Sequence, residues 1–463
     1  MVRTRIAPSP TGKDVHVGSI STALMNYAWA KKHNGRFIIR IEDTDQSRLV
    51  EGSEKRMLDT FEAIGLKADE SPLVGGPYAP YRQSERLAIY KKYAEELVQK
   101  EKAYYCICTP QRLDEMRKQQ QAKKQIPKYD RHCLNEQDEI KKEIEKGTKF
   151  VIRLLIPDRE IVFDDIIRGH IVINGSDLDD QVLLKSDGFQ TYHLGVVVDD
   201  HLMDITHVIR GEEWLPSTPK HIVLFNAFGW KLPQFAHVPL LRNPDKSKLS
   251  KRKNPVWASD YLDQGILPET LLNYLSLMGW SHPEGKEVFT LDEYIKLFDI
   301  KDVQTTAPIF DPVKLEWMNG EYVRKLKVKS LKLKVLEFIG NKYPEDIVEK
   351  TIPLVQERIK KLSDYLPLCE FFFERPKKYE IDLFSKKDAL KKITKALNEI
   401  KEWKATVIGE AMQNLAQKLN MKNSEFFMIL RVAISGKKIT PPLNESMEIL
   451  GKDECIKRIN KLV

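Results

Sequence analysis

A histidine two residues ahead of a glycine, closing a proline- and glycine-rich stretch, is the first place where chemistry could be done. The segment reads APSPTG at 7–12 and HVGS at 16–19. Prolines and glycines make a rigid turn between a strand-like run and a helix-like run. The start of a helix presents unpaired N–H groups and a positive dipole end, which suits an anion. Gly18 lets a flat group approach the backbone, and His16 can donate to a phosphate. More than two hundred residues later, KLSKR at 248–252 follows Asp245, Lys246 and Ser247. Lys246, Lys248, Lys251, Arg252 and Lys253 surround small polar residues. A cationic loop of this kind suits a polyphosphate on which charge develops during displacement. Each motif alone has a plainer reading, a βα loop or a solvated charge run. Together they point to a nucleotide.

The elements around them must bring the two together. Residues 2–7 are β-prone and stop at Pro8 and Pro10. A helix follows, with Ser19 or Ser21 as expected N-cap. Its apolar residues Ile20, Ala23, Leu24, Tyr27 and Ala28 share one face. Asn34 and Gly35 stop it. Residues 36–41 (RFIIRI) read as a buried strand ending in the carboxylates Glu42, Asp43 and Asp45. Strand, helix, strand implies a parallel βαβ unit. From 105 to 186 the pattern changes to a Lys/Gln-rich helix at 113–124 and short strands at 150–156, 161–163 and 170–173. This predicts an insertion. The α/β pattern resumes at 191–198, 205–210 and 220–228. Beyond 258 the chain turns helical. Ala389, Leu390, Ile393, Leu397 and Ile400 form one apolar stripe. Val407, Ile408, Ala411, Met412, Leu415, Ala416 and Leu419 form another.

The chain has 463 residues, 42% hydrophobic and 31% charged, which fits about three folded domains and excludes a disordered or fibrous chain. Lys and Arg total 75 against 67 Asp and Glu, a net +8 that is compatible with a polyanionic partner. Five cysteines are too few, and odd in number, for a disulfide scaffold. No run approaches the roughly 18 apolar residues of a membrane span. The first residues carry neither signal- nor transit-peptide character, so a cytoplasmic location is expected.

These motifs, in this order, resemble those of bacterial-type glutamyl-tRNA synthetases, which are class I aminoacyl-tRNA synthetases. RIAPSPTG stands at 5–12, and HVGS at 16–19 is similar to the family's HIGH element. RIEDTD stands at 40–45, YRQSER at 81–86, YHL at 192–194, VVDDH at 197–201 and VIRGEEWL at 208–215. KLSKR at 248–252 resembles KMSKS, with Leu for Met and Arg for the final Ser. FDPVKLEWMNGEYVR at 310–324 is similar to a stem-contact region, and PPLNESMEILGK at 441–452 to a helical anticodon domain.

The resemblance implies an α/β fold: a Rossmann-like catalytic domain at 1–104 and 187–240, and a connective insertion at 105–186 that binds the acceptor stem. A stem-contact region with the KMSKS-like loop would span 241–325, and an all-α anticodon-binding region 326–463. It implies glutamate, ATP with Mg²⁺ and tRNA-Glu as partners, no membrane, and a monomer. His16, Gly18, Lys248 and Lys251 would bind ATP and support adenylate formation. Arg5 and Arg210 would hold a carboxylate of glutamate, with Ser9, Glu42 and Tyr192 completing its contacts. Val196 departs from relatives that carry asparagine there. Arg358 would read the third anticodon base.

Cys106, Cys108 and Cys133 could hold zinc, as some members do. The usual histidine two residues on is Asn135 here, so Tyr129 or His132 is the expected fourth ligand; the alternative is three metal-free thiols. Cys369 and Cys455 read as core residues. The alternative is a less selective form of the family that also charges tRNA-Gln. A small-metabolite nucleotidyltransferase is the remote rival, but it would have no use for a large helical tail. That tail also separates the chain from a short paralogue that modifies a tRNA base, and from glutaminyl enzymes with C-terminal β-barrels.

Overall fold

The computed structural model describes residues 1–247, 249 and 255–463. Lys248 and Lys251, and all of the 248–252 loop but Leu249, lie outside the described residues. The chain forms two compact units. One comprises Met1–Asp260 and Leu271–Asp311, the other Tyr261–Thr270 and Pro312–Val463.

The first unit opens with β1 (Arg3–Ile6), α1 (Val17–Lys32) and β2 (Arg36–Ile39). β1 and β2 are parallel, with Arg5 opposite Ile38. Gly35 is required by proximity: a Cβ there would sit 2.1 Å from the Val2 carbonyl oxygen. Helix α1 is buried on more than its expected face, including Val17, Met25, Asn26 and Ala30. Then come α2 (Ser53–Ala63), α3 (Leu87–Gln99), β3 (Ala103–Cys106), α4 (Pro110–Ala122), α5 (Gln137–Glu145), β4 (Val151–Leu154), β5 (Glu160–Asp165), β6 (Gly169–Asn174) and β7 (Val182–Leu184). The unit continues with α6 (Tyr192–Leu202), β8 (His207–Gly211), α7 (Thr218–Phe228) and β9 (Gln234–Val238).

Strand β8 runs parallel to β9. It follows Thr206, whose N–H donates to the Arg3 carbonyl at 3.0 Å, so β8 lies beside β1. β5 meets β9 in parallel at Asp165 and Phe235, and β6 pairs antiparallel with β5. The β5–β6 hairpin falls inside the expected insertion yet extends the catalytic row of strands. β3, β4 and β7 form a separate antiparallel sheet. The main core packs Tyr90, Leu97, Leu194, Val197, Leu224 and Phe235 together.

The second unit is helical. The expected stripes are buried at Leu390, Ile393 and Leu397, and at Ile408, Met412 and Ala416, where they pack with Phe426, Leu430 and Cys455. A second core gathers Leu331, Val335, Val348, Ile352, Tyr365 and Cys369. Cys369 and Cys455 are both fully buried, as expected.

Candidate active site

Seven of the nine residues expected to hold glutamate and ATP line one cavity of about 810 Å³: Arg5, Ser9, His16, Gly18, Glu42, Tyr192 and Arg210. The cavity lies in the first unit, at the ends of β1 and β8 and the start of α1. Val196 and Leu249 also line it.

The start of α1 differs from expectation. Its N-cap is His16, not Ser19 or Ser21. The His16 Nδ1 accepts from the Gly18 N–H at 3.0 Å. The Val17 N–H donates to the Val256 carbonyl at 2.8 Å and the Ser19 N–H to the His16 carbonyl at 2.8 Å. The helix therefore offers no free N–H at its first three positions, and the anion site expected there needs another donor. His16 lines the cavity, and with Nδ1 accepting, a neutral ring carries its proton on Nε2. Gly18 has a second reason to be glycine, since a Cβ would sit 3.1 Å from the His16 Nδ1. Residues 255–259 are stitched to this strap. The Ala258 N–H donates to the Val15 carbonyl at 3.0 Å, the Ser259 N–H to Asp14 at 3.0 Å, and the Trp257 ring lies edge-on to His16.

Beneath the cavity lies a buried ionic lattice that the sequence reading missed. Arg5 grips Asp200 through Nε and Nη2, each at 3.0 Å. Arg40 donates to the same carboxylate at 2.9 Å. Next along α6, Asp199 accepts from Arg86 at 2.8 Å, Gln83 at 2.9 Å and Tyr90 at 2.8 Å. Burial alone would raise the Asp200 pKa, but Arg5 and Arg40 hold it below the usual carboxylate range. Glu42 lies 3.5 Å from Arg40. Burial, with Asp200 and Asp199 nearby, pushes Glu42 up to about 7 despite Arg40 and Arg5. One signal was available: two adjacent aspartates directly after the apolar run of 194–198 demand buried cations.

Arg210 has different surroundings. Its Nε donates to His237 at 3.0 Å, Nη1 to the Tyr192 hydroxyl at 3.0 Å and to His221 at 3.2 Å, and Nη2 to Thr218 at 2.8 Å. Among the described residues it has no carboxylate partner. Burial lowers its pKa, with Arg5 adding to the effect. Tyr192 accepts from Arg210, so its own proton is left to donate elsewhere. Its ring leans on Trp214 at 4.4 Å between centroids.

Residues 1–317 match the family described as tRNA synthetases class I (E and Q), catalytic domain, and residues 321–463 match Anticodon binding domain. The glutamate–tRNA ligase of Acidothermus cellulolyticus is 46% identical over 99% of this chain and 95% of its own. That of Acinetobacter baumannii strain SDF is 46% identical over 99% and 92%. The chain belongs to the glutamate–tRNA ligase family. Its fold agrees: the crystal structure of the Elizabethkingia meningosepticum glutamate tRNA ligase in complex with its amino acid superposes with TM-score 0.87 and 38% identity, covering 100% of this chain and 99% of that one. A class I catalytic region is thus followed by a helical anticodon domain, as the family resemblance implied.

Two expected sites lie elsewhere. The Cys106, Cys108 and Cys133 Sγ atoms all lie within 4.8 Å of one another. The Tyr129 hydroxyl is 3.4 Å from Cys106 and 3.3 Å from Cys108. His132 is exposed and outside the cluster, which favours Tyr129 as the fourth donor. Arg358, in the second unit, is exposed, and its Nη1 donates to the Thr440 carbonyl at 2.7 Å. Arg431, unnoticed in the sequence, donates to the adjacent Pro441 carbonyl at 3.1 Å.

Removing one carboxylate from the lattice leaves buried guanidinium groups uncompensated. Asp199→Ala should destabilise the fold by about 3–5 kcal/mol. Urea unfolding followed by tryptophan fluorescence reads this as an earlier midpoint; an unmoved midpoint would deny the lattice its structural role.

Proposed function

We propose that this chain attaches glutamate to the 3′ end of tRNA-Glu through a glutamyl-adenylate, using ATP. The observation that carries this reading is Arg210: a buried guanidinium with neutral partners, beside a cavity shared with Arg5, Tyr192 and Glu42. A side-chain carboxylate supplies the missing anion. A carboxamide leaves the charge uncompensated and is rejected. Arg5 keeps Nη1 for the same carboxylate, and the Tyr192 hydroxyl donates to it. Glu42 holds the ammonium, and Ser9 at the rim completes the contacts.

ATP lies on the His16 side of the cavity. The His16 Nε2–H donates to a phosphate oxygen, and Gly18 leaves room for the nucleotide. Mg²⁺, when bound to the phosphates, screens their charge. The α-carboxylate of glutamate attacks the α-phosphorus and pyrophosphate leaves. Lys248 and Lys251 neutralise the departing charge. The terminal ribose hydroxyl of the tRNA then attacks the mixed anhydride, so no protein nucleophile is needed. Residues 105–186 and 241–325 serve the acceptor stem and its approach. Residues 326–463 bind the anticodon arm, with Arg358 reading the third base. Zinc held by Cys106, Cys108, Cys133 and Tyr129 would brace the turn between β3 and α5; the donor set suits a four-coordinate structural site.

Charging of tRNA-Glu with labelled glutamate tests the reading directly. Arg210→Ala should lower kcat/KM for glutamate by about 2–5 kcal/mol equivalent while ATP KM holds. Loss of no more than twofold would remove Arg210 from the pocket.

The Glu42 pKa gives a pH dependence. The carboxyl is neutral below about 7 and ionised above it. Only the ionised form attracts the ammonium, so glutamate KM should fall as pH rises from about 6 to 8 and then level off. Glu42→Gln should raise KM and flatten the profile; a wild-type profile flat across this range would exclude Glu42 as the ammonium partner.

Metal analysis of protein prepared without chelator should find one zinc per chain. Cys133→Ser should abolish it and lower the melting temperature. Metal-free protein with an unchanged melt would leave three bare thiols.

A further inference from the structure

Arg210 can only donate hydrogen bonds, so each ring nitrogen facing it carries a lone pair. This fixes both tautomers. His237 accepts through Nε2 and holds its proton on Nδ1, 2.6 Å from Asp165 Oδ2. His221 accepts through Nδ1 and turns its Nε2 proton to His193 Nδ1 at 3.1 Å. Thr218 and Tyr192 take the remaining strong bonds through hydroxyl oxygens. Burial keeps both imidazoles neutral, pushing His221 and His237 below the usual histidine range. Two buried acids of this network are committed elsewhere. Asp165 stands behind the His237 ring, and Asp200 is gripped by Arg5 and Arg40. A carboxylate in place of either ring would satisfy the same N–H and is the stronger partner for arginine. It would also cancel the charge that faces the cavity.

We infer that His221, with His237 as its counterpart, is a positioning and specificity-determining residue that fixes the Arg210 guanidinium by hydrogen bonds without neutralising it, reserving its charge for a substrate carboxylate. The inference rests on the proposed glutamate-charging function. His221 touches Arg210 rather than substrate, and its effect passes through that guanidinium. His221 is the better of the two for a test, because no described acid contacts its ring, whereas an acid at 237 would share a proton with Asp165.

The test compares His221→Asn with His221→Asp in the full chain, assayed with tRNA-Glu. The two side chains have the same shape and differ in charge; either oxygen can replace Nδ1 as acceptor. The Asn variant should raise glutamate KM by about threefold or less, and the Asp variant by about thirtyfold or more, as expected for neutralising a buried charge that binds an anion. ATP KM should stay level in both, and the preference for glutamate over glutamine should narrow only in the Asp variant. A purely structural role would impair both variants alike and would not move that preference. Equal glutamate KM in the two variants overturns the inference. If His221→Asp melts below the assay temperature, Thr218→Asn against Thr218→Asp puts the same question to Nη2. Wild-type protein that fails to charge tRNA-Glu would instead defeat the function itself, and the two failures are distinguishable.

Discussion

Two adjacent carboxylates in the last turn of a buried helix, Asp199 and Asp200, set the geometry on which the rest of the catalytic unit depends. Each buried charge is tolerable only if it is paired and hydrogen-bonded. The pairs come from separated parts of the chain: Arg5 on β1, Arg40 just past β2, and Arg86 ahead of α3. Satisfying Asp199 and Asp200 therefore fixes two strands and two helices against one another. It also delivers Arg5 and Glu42 to the cavity wall. The lattice is structural in its interior and functional at its edge, and Arg5 belongs to both.

Arg210 reverses that logic. The lattice gives each of its buried arginines a carboxylate; among the described residues, Arg210 has only neutral hydrogen-bond acceptors. The contrast falls within one cavity, so it reflects what each charge is for. Paired guanidinium groups hold the protein together, and under the proposed function Arg210 keeps its charge for a substrate carboxylate. His16 shows a related economy. Its ring caps α1 through one nitrogen, so one side chain both starts the helix and lines the cavity.

The β1–α1–β2 unit, the helical stripes and the residues gathered at the cavity were legible because each is written locally, in periodicity or in a short motif. Three features were not. Ser19 is a better N-cap by composition than His16, but the glycine at 18 lets an imidazole close onto the helix, and the cap moved. The β5–β6 hairpin looked like part of an insertion because its neighbour β9 lies some seventy residues further on. His221 and His237 carried no local mark; each is an ordinary core histidine until Arg210 is placed against it. Asp199 and Asp200 stood in plain view in VVDDH, and only the burial of their helix gave them meaning.

The seam between the His16 strap and residues 255–259 is made of main-chain hydrogen bonds, Val17 to Val256 and Ala258 to Val15. Such bonds read no side chain. The side chains at 15, 17, 256 and 258 are buried and held apolar by packing, but the seam itself asks only that no proline remove a donor at 17 or 258. Sequence comparison sees only buried apolar residues there, and nothing in that pattern marks the main-chain joint itself. The exception is Gly12, where a Cβ would lie 2.4 Å from the Trp257 ring. A bulky residue at 257 therefore confines position 12 to glycine, and a lineage with a smaller residue at 257 is released from that constraint. The two positions, far apart in the chain, are free to change only in a set order.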